Sequence, residues 1–366
     1  VKYILDLRDF PGDPNETKVV HDIEVILQDP EISIVCETMG GNEPAYTFSK
    51  RALEAGKSVC TSNKELVANH GAELLRLARE NRCNYFFEAS VGGGIPIIRP
   101  INNCLTAERI VEVSGILNGT TNYILTKMEQ EGMLFEEALG QAQALGYAER
   151  NPEADVEGYD ACRKIAILTS LVAGKTVDFH KIHTEGITGI DPTDFAYAKK
   201  LDATIKLLAV SRETEDGYQI SVAPYLLKKE NALAGVNDVF NAVAVCGNTL
   251  GDTMFYGRGA GKLPTASAVV ADVVECARHL QKTVGCLWEE GEAKVADFDN
   301  QEGRFFVRVS KKARADVEKA FGAVVPVVLD SALEEFAFVT ESMQEAEFEK
   351  CREQIFGFVK KIRIKD

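Results

Sequence analysis

The chain has 366 residues, with 56 acidic against 41 basic side chains, a formal net charge of -15 and a pI near 5.0. This balance argues against a nucleic-acid or anionic-membrane surface and favours a small-molecule partner. With 45% hydrophobic residues, a mean hydropathy of -0.10, no apolar run near the roughly 18 residues of a membrane span and no basic-then-apolar leader, a cytoplasmic protein of two or three domains is expected.

Val1 is not an initiator methionine and Tyr3 to Leu7 already reads as a strand, so the chain is expected to start inside a domain. Val19 to Leu27 carries apolar residues at helical spacing, and Ile32 to Cys36 reads as a buried strand. Pro44 to Ala55 is a helix closed by Gly56; Ser58 to Thr61 is a strand, Glu65 to Glu80 a helix and Tyr85 to Phe87 a strand. Such alternation over residues 1–88 predicts an α/β architecture: a doubly wound, Rossmann-type nucleotide-binding domain, N-terminally incomplete and completed by the helical stretch near 260–288. Residues 89–260 are richer in helix, with the longest helical pattern from Val156 to Ala173, and are expected to form an α+β catalytic and dimerisation domain.

The acidic stretch from Glu289 reads as a linker over 289–303. Beyond it, residues 304–366 predict a small ferredoxin-like module of order βαββαβ: strands at Arg304 to Ser310, Val324 to Asp330, Glu335 to Thr340 and Val359 to Ile364, with helices at Lys311 to Phe321 and Glu345 to Phe356. The nine cysteines are scattered without a Cys-x-x-Cys pair, which suits neither a disulfide framework nor a zinc site. His180 and His183 are the one close histidine pair, and nothing near them in sequence completes a tetrahedral set.

Several stretches carry chemistry. Gly40-Gly41 follows a buried strand and precedes Pro44, as in a tight turn or in a backbone that a cofactor approaches. Thr61-Ser62-Asn63-Lys64 ends the next strand, where a lysine can hold a carboxylate, tune a proton or be merely solvated. Gly92-Gly93-Gly94 before Ile95-Pro96 forces an irregular backbone whose carbonyls either face a ligand or ion or only permit a close interdomain crossing. Asn118-Gly119 joins a strand to a helix, with Thr120 or Thr121 available as N-cap. In the stretch 145–168, Asp160 and Lys164 stand four apart and share one helix face. That spacing suits a surface salt bridge, yet the apolar neighbours Ala161, Ile165, Ile167 and Leu168 and the acids Glu149, Asp155 and Glu157 also suit a cleft that receives an ammonium and uses a desolvated lysine for proton transfer. Gly259-Ala260-Gly261-Lys262 is no phosphate loop, because Leu263 stands where Ser or Thr would be required.

Taken together, the strings at 88–98, 115–125 and 145–168 resemble homoserine dehydrogenases, in the right order from about residue 3 to about residue 275. The resemblance implies reduction of L-aspartate 4-semialdehyde to L-homoserine with NADH or NADPH, on the route to threonine, methionine and isoleucine. Residue by residue, it implies that Lys164 supplies the proton and that Lys64 stands beside nicotinamide and substrate. Glu149 and Asp160 match the acids that bind the amino-acid end, with Asp155 in support. Glu88, Val91, Gly93 and Ile95 match main-chain ligands of a sodium or potassium ion. Thr38, Gly40 and Gly41 fall beside the nicotinamide half, Gly259 and Gly261 return to it, and Arg8 fits the position that can pair with a 2′-phosphate. A homodimer or homotetramer is implied too, as is an amino-acid effector at an ACT-like tail. Two features depart from the family pattern: this sequence has no strand followed by Gly-x-Gly-x-x-Gly, and its tail has no acidic-x-Pro-Gly loop. A silent amino-acid-binding regulator and a dehydrogenase for another amino-acid semialdehyde are the alternatives on the same scaffold.

Overall fold

A computed structural model describes residues 1–329 and 334–365. Two short parallel strands, β1 (Ile4–Leu5) and β2 (Val19–Val20), open the chain, followed by α1 (Ile23–Leu27). The helical spacing over 19–27 therefore splits. Val19 and Val20, both β-branched, join a strand pair, and the helix begins only after Asp22, whose carboxylate accepts the Glu24 N–H as N-cap.

β3 (Ile34–Glu37), α2 (Ala45–Glu54), β4 (Ser58–Thr61), α3 (Lys64–Glu80) and β5 (Tyr85–Phe86) then build a parallel sheet of order β3-β4-β5. All four residues of β4 are buried, as befits a strand covered on both faces. Among the described residues β1 pairs only with β2, and β3 only with β4. The free edges of β1 and β3 border one groove of about 610 Å³, lined by Val1 to Leu5 on one side and Glu31 to Met39 on the other.

The middle of the chain contributes β6 (Ile110–Ile116), α4 (Gly119–Glu131), α5 (Phe135–Ala144), α6 (Glu153–Val156), α7 (Tyr159–Ala173), β7 (Lys175–Thr176), β8 (His183–Thr184), α8 (Pro192–Lys200), β9 (Ala203–Thr214), β10 (Gly217–Lys228), β11 (Phe240–Gly247) and β12 (Gly251–Arg258). Its sheet runs β12-β11-β6-β9-β10, antiparallel throughout. Alternation along the β9–β10 hairpin separates two cores: Ile205, Leu207 and Ala209 face the main core with α7, while Leu208 and Val210 meet Ala223, Tyr225 and Leu227 beneath Leu233 and Val236. α9 (Lys262–Arg278) then returns to the parallel sheet and packs on β3 and β4, bringing Cys276 Sγ to 3.6 Å from Cys60 Sγ.

The stretch read as a linker is tied down. β13 (Glu289–Glu292) pairs in parallel with β7, Val295 bridges to Tyr218, and Trp288 is fully buried against α3 at Gly71, where a Cβ would come within 2.7 Å of the indole. The tail follows as β14 (Glu302–Ser310), α10 (Arg314–Phe321), β15 (Glu335–Val339), β16 (Met343–Gln344), α11 (Glu345–Arg352) and β17 (Phe358–Lys365). β17 pairs in parallel with Tyr225–Leu227 of β10, and β14 and β15 continue outward, so one sheet runs through both parts. Of the strand expected over 324–330, Val327 forms a single bridge to Ala337, and Asp330 lies outside the described residues. Side chains reinforce the junction. Arg308, buried, reaches Asp191, Asp194 and Glu335, and Arg363 reaches Glu185 and Glu345. Among the described residues no helix is long and apolar enough to cross a membrane.

Lys206 on β9 is fully buried, its Nζ donating to Val236 O at 2.8 Å and Asn237 Oδ1 at 3.0 Å. Burial draws its pKa down from 10.5 to about 8, against the pull of Glu129 and Asp238. A lysine depressed in this way weakens the fold fully below the folded value, and the penalty fades as pH climbs towards the unfolded value. Lys206→Met is therefore expected to compare better with wild type at pH 7 than at pH 10.5, by up to roughly 3 kcal/mol, as read from urea melts at the two pH values.

Candidate functional site

A cleft of about 510 Å³ opens where the parallel sheet meets the antiparallel one, and it gathers residues from five separate stretches: Lys64, Val91 and Gly93, Asn118, Glu149 to Lys164, and Gly259 to Gly261. Each arrives by a local rule. Asn63, at the end of β4, caps α3 by accepting the Leu66 N–H, which makes Lys64 the first helical residue. A cation is unfavourable at a helix N-terminus. Here an opposite charge compensates, since Lys64 Nζ lies 2.7 Å from Asp160 Oδ1. Gly158, left-handed at φ 82°, turns the chain into α7 between Thr184 and Val222 and leaves Asp160 in the first turn, where a carboxylate is favoured.

One turn on, Lys164 Nζ donates to Asp160 Oδ2 at 2.7 Å and to Leu117 O at 2.8 Å. Asp160 is thus no surface ion pair but a buried carboxylate between two lysines, with Asn118 Nδ2 as a third donor at 2.9 Å. Burial pushes its carboxyl upward, yet Lys164 and Lys64 together outweigh that and hold it well below the usual carboxylate range. Burial pulls the Lys64 ammonium down, and the Asp160 and Asp155 charges more than restore it, leaving it raised. Asp155 is raised, by burial first and by the neighbouring Asp160 charge, against the hydrogen bond from Asn118. Glu149 is exposed at the cleft's rim, where its main-chain oxygen accepts from Gln143.

Gly93, at φ 56°, sits so close to Gly259 that a Cβ would lie 2.3 Å from its carbonyl oxygen, and Gly94 donates to Arg258 O at 3.1 Å. The triple glycine is therefore both a close crossing of two segments and a wall of the cleft. Val91, Gly93 and Ile95 receive no hydrogen bond at their carbonyl oxygens among the described residues. The Glu88 carboxylate is spent on other work: buried, it accepts the N–H groups of Ile97, Ile98 and Arg99 and the Arg99 Nε, while its own N–H donates to Asp272 on α9 at 2.9 Å.

Six expected residues do not line this cleft: Glu88 and Ile95 in the loop just described, and four from the first 41 residues. Thr38 and Gly40 are exposed past β3, and Gly41 O accepts from Asn63 Nδ2 at 2.7 Å, tying that turn to the start of α3. A Cβ at Gly40 or Gly41 would meet nothing within 4 Å, so the backbone there is open to a ligand. Arg8 is exposed beyond β1, its guanidinium turned back on Asp6 at 3.0 Å. The residue that sequence reading passes over is Asn118. It, not Thr120 or Thr121, caps α4, accepting the Thr121 N–H at 2.9 Å. The preference order for N-caps, which ranks Asn above Thr, is the signal that points to it.

Residues 96–274 match the family model described as homoserine dehydrogenase, and residues 6–88 match the one described as homoserine dehydrogenase, NAD binding domain. A homoserine dehydrogenase of Bacillus subtilis is 38% identical over 342 residues, covering 88% of this chain and 78% of its own length. One from Synechocystis is 49% identical over 257 residues, 69% of this chain, and the chain spans only 59% of that relative's length. Among solved structures, the enzyme of Thiobacillus denitrificans superposes with a TM-score of 0.88 at 33% identity, over 95% of this chain and 85% of its own. A hyperthermophilic archaeal homoserine dehydrogenase in complex with NADPH gives 0.63 at 31% identity, over 73% and 76%.

Asp160→Asn keeps the shape but leaves two facing ammonium groups without their counter-charge. It is expected to destabilise the protein by about 3 kcal/mol at neutral pH. Because the Asp160 carboxyl is depressed in the fold, its contribution is present above the ordinary carboxylate range and lost as pH falls below it, so melts of variant and wild type should converge in acid.

Proposed function

The chain belongs to the homoserine dehydrogenase family, and from that premise we propose that it interconverts L-aspartate 4-semialdehyde and L-homoserine with a nicotinamide cofactor. The observation that carries the reading is the Lys64–Asp160–Lys164 array in a cleft walled by backbone glycines. The open backbone at Gly40 and Gly41, with Thr38 beside it, and the wall at Gly259 to Gly261 suit a flat ring that must approach the main chain closely.

When bound, the reduced nicotinamide supplies the hydride to the aldehyde carbon. The chain's own work is to place the substrate and to meet the charge that develops on its oxygen. Lys164 has three N–H donors; Leu117 O and Asp160 hold two, which leaves the third for the aldehyde oxygen, to which Lys164 gives its proton as the alkoxide forms. In the oxidative direction the same nitrogen takes that proton back. Lys64, about two-fifths exposed and, among the described residues, held by Asp160 alone, faces the cleft as a second positive charge. Asp160, already accepting from three donors, balances the two lysines and has little capacity left for the substrate. Asp155 and Glu149 are the acids with oxygens to offer the substrate ammonium, so the expectation that Asp160 binds it directly gives way to a role behind the lysines.

Four further parts of the proposal each rest on one observation. The free carbonyls of Val91, Gly93 and Ile95, in a loop whose Glu88 is fixed on both sides, suit a sodium or potassium ion held by main-chain oxygens. Arg8, exposed three residues past the groove-lining Leu5, suits a cofactor 2′-phosphate and so NADPH. The edge strand β12, with Met254 and Tyr256 outward, suits a homodimer or homotetramer, and the βαββαβ tail suits an amino-acid effector.

Turnover of homoserine, followed by nicotinamide absorbance, tests the reading directly; its complete absence with both NAD and NADP sinks it. Lys164→Ala should lower kcat by about 10²- to 10⁴-fold while NADPH affinity, read by fluorescence, stays as it was. Arg8→Ala should raise KM for NADPH by roughly 10-fold and leave KM for NADH unchanged.

A further inference from the structure

We infer that Asn118 is a positioning residue for the amino-acid end of the substrate, acting through Asp155, which it ties to Asp160. The inference rests on reading the cleft as a homoserine dehydrogenase site. Asn118 stands at the junction of β6 and α4 and is buried. Its Oδ1 accepts the Thr121 N–H at 2.9 Å, which fixes the way the amide lies, because the reverse orientation would set two donors face to face. Both hydrogens on Nδ2 are thereby aimed at carboxylates, at Asp155 Oδ1 over 2.7 Å and Asp160 Oδ2 over 2.9 Å. Two acids from α6 and α7 thus share one neutral nitrogen.

That arrangement solves a problem of charge. Asp155 and Asp160 converge on the same point, and without a donor between them their repulsion would drive them apart or protonate one of them. Lys164 and Lys64 answer only Asp160 by direct contact. Among the described residues no other side chain donates to Asp155. Among the described side chains Asn118 is thus the donor that holds Asp155 Oδ1, with Oδ2 left over for an arriving ammonium. The preceding residue belongs to the same device, since Leu117 O holds Lys164 Nζ at 2.8 Å. A single strand-to-helix junction so fixes both the proton donor and the acid that faces the substrate's far end.

A capping role and a positioning role can be separated, because Ser and Asp cap a helix as well as Asn does but lack the amide donors. Asn118→Ser is expected to melt like wild type within a few degrees, and Asn118→Asp, which sets a third carboxylate against Asp155 and Asp160, to melt lower. Both should raise KM for homoserine by about 10- to 100-fold, with kcat and the KM for cofactor changed by less than roughly threefold. The groups facing Asp155 are Asp160, Lys164 and Lys64, and none of them is altered by these variants. The carboxyl of Asp155, followed by carbon NMR in the free enzyme, should titrate at higher pH in both, most of all in Asn118→Asp. Wild-type KM together with an unmoved Asp155 titration in both variants overturns the inference and leaves Asn118 a helix cap. Should the wild-type protein turn over neither homoserine nor aspartate semialdehyde, the functional reading fails on its own, and the Asp155 titration still decides whether the amide bridge holds that acid.

Discussion

The structure hangs on one buried carboxylate. Asp160 lies between Lys64, the first residue of a helix in the parallel part, and Lys164, one turn along its own helix in the antiparallel part. A carboxylate and two ammonium groups out of water would each be costly alone, and replacing such a group by an apolar residue is often neutral for stability. Its persistence here is explained by geometry instead: the ion triad spans the seam between the two halves and sets where two cations sit relative to the glycine-lined wall. The Asn63 cap and the left-handed Gly158 bring those three groups to the same point.

Glu88 and Asp272 play the corresponding part on the other wall. Four donors converge on the Glu88 carboxylate, and Asp272 takes the Glu88 N–H, with the Arg99 guanidinium in reach of both acids. Burial, more than the Glu88 charge, pushes the Asp272 carboxyl up to about 7. The loop from Ala89 to Gly94 is consequently clamped at its start by acids and at its end by the Gly93–Gly259 crossing, and its backbone has little freedom to rearrange around a ligand.

Local features were readable before any coordinates. The bounds of β4 and, to within one residue, the start of α3 were expected, and the common face of Asp160 and Lys164 follows from helical periodicity. The Lys64–Asp160 contact did not, because it joins residues from separate elements and no local rule encodes a partner across the seam. Asn118 was overlooked in favour of the threonines after it, although cap preference pointed the right way. Its second function, bridging two acids, depends on α6 and α7 arriving at the same junction. Residues 289–301 looked like a linker because they are acidic and poor in apolar side chains. Their order comes from backbone pairing with β7 and Tyr218, which composition does not record.

The pairing of β17 with β10 bears on how the tail can communicate. A module on a flexible tether transmits a signal by swinging about a hinge, and its effect depends on the length of the tether. Here the tail shares ladder hydrogen bonds with the hairpin that floors the main core, and Arg308 and Arg363 bolt its strands to α8 and to Glu185 just past β8. A rigid-body swing would break that ladder. Any influence passing from the tail to the cleft must therefore travel as shear between neighbouring strands, small in amplitude, and carried along β10 and β9 to β6, whose end holds Leu117 and Asn118.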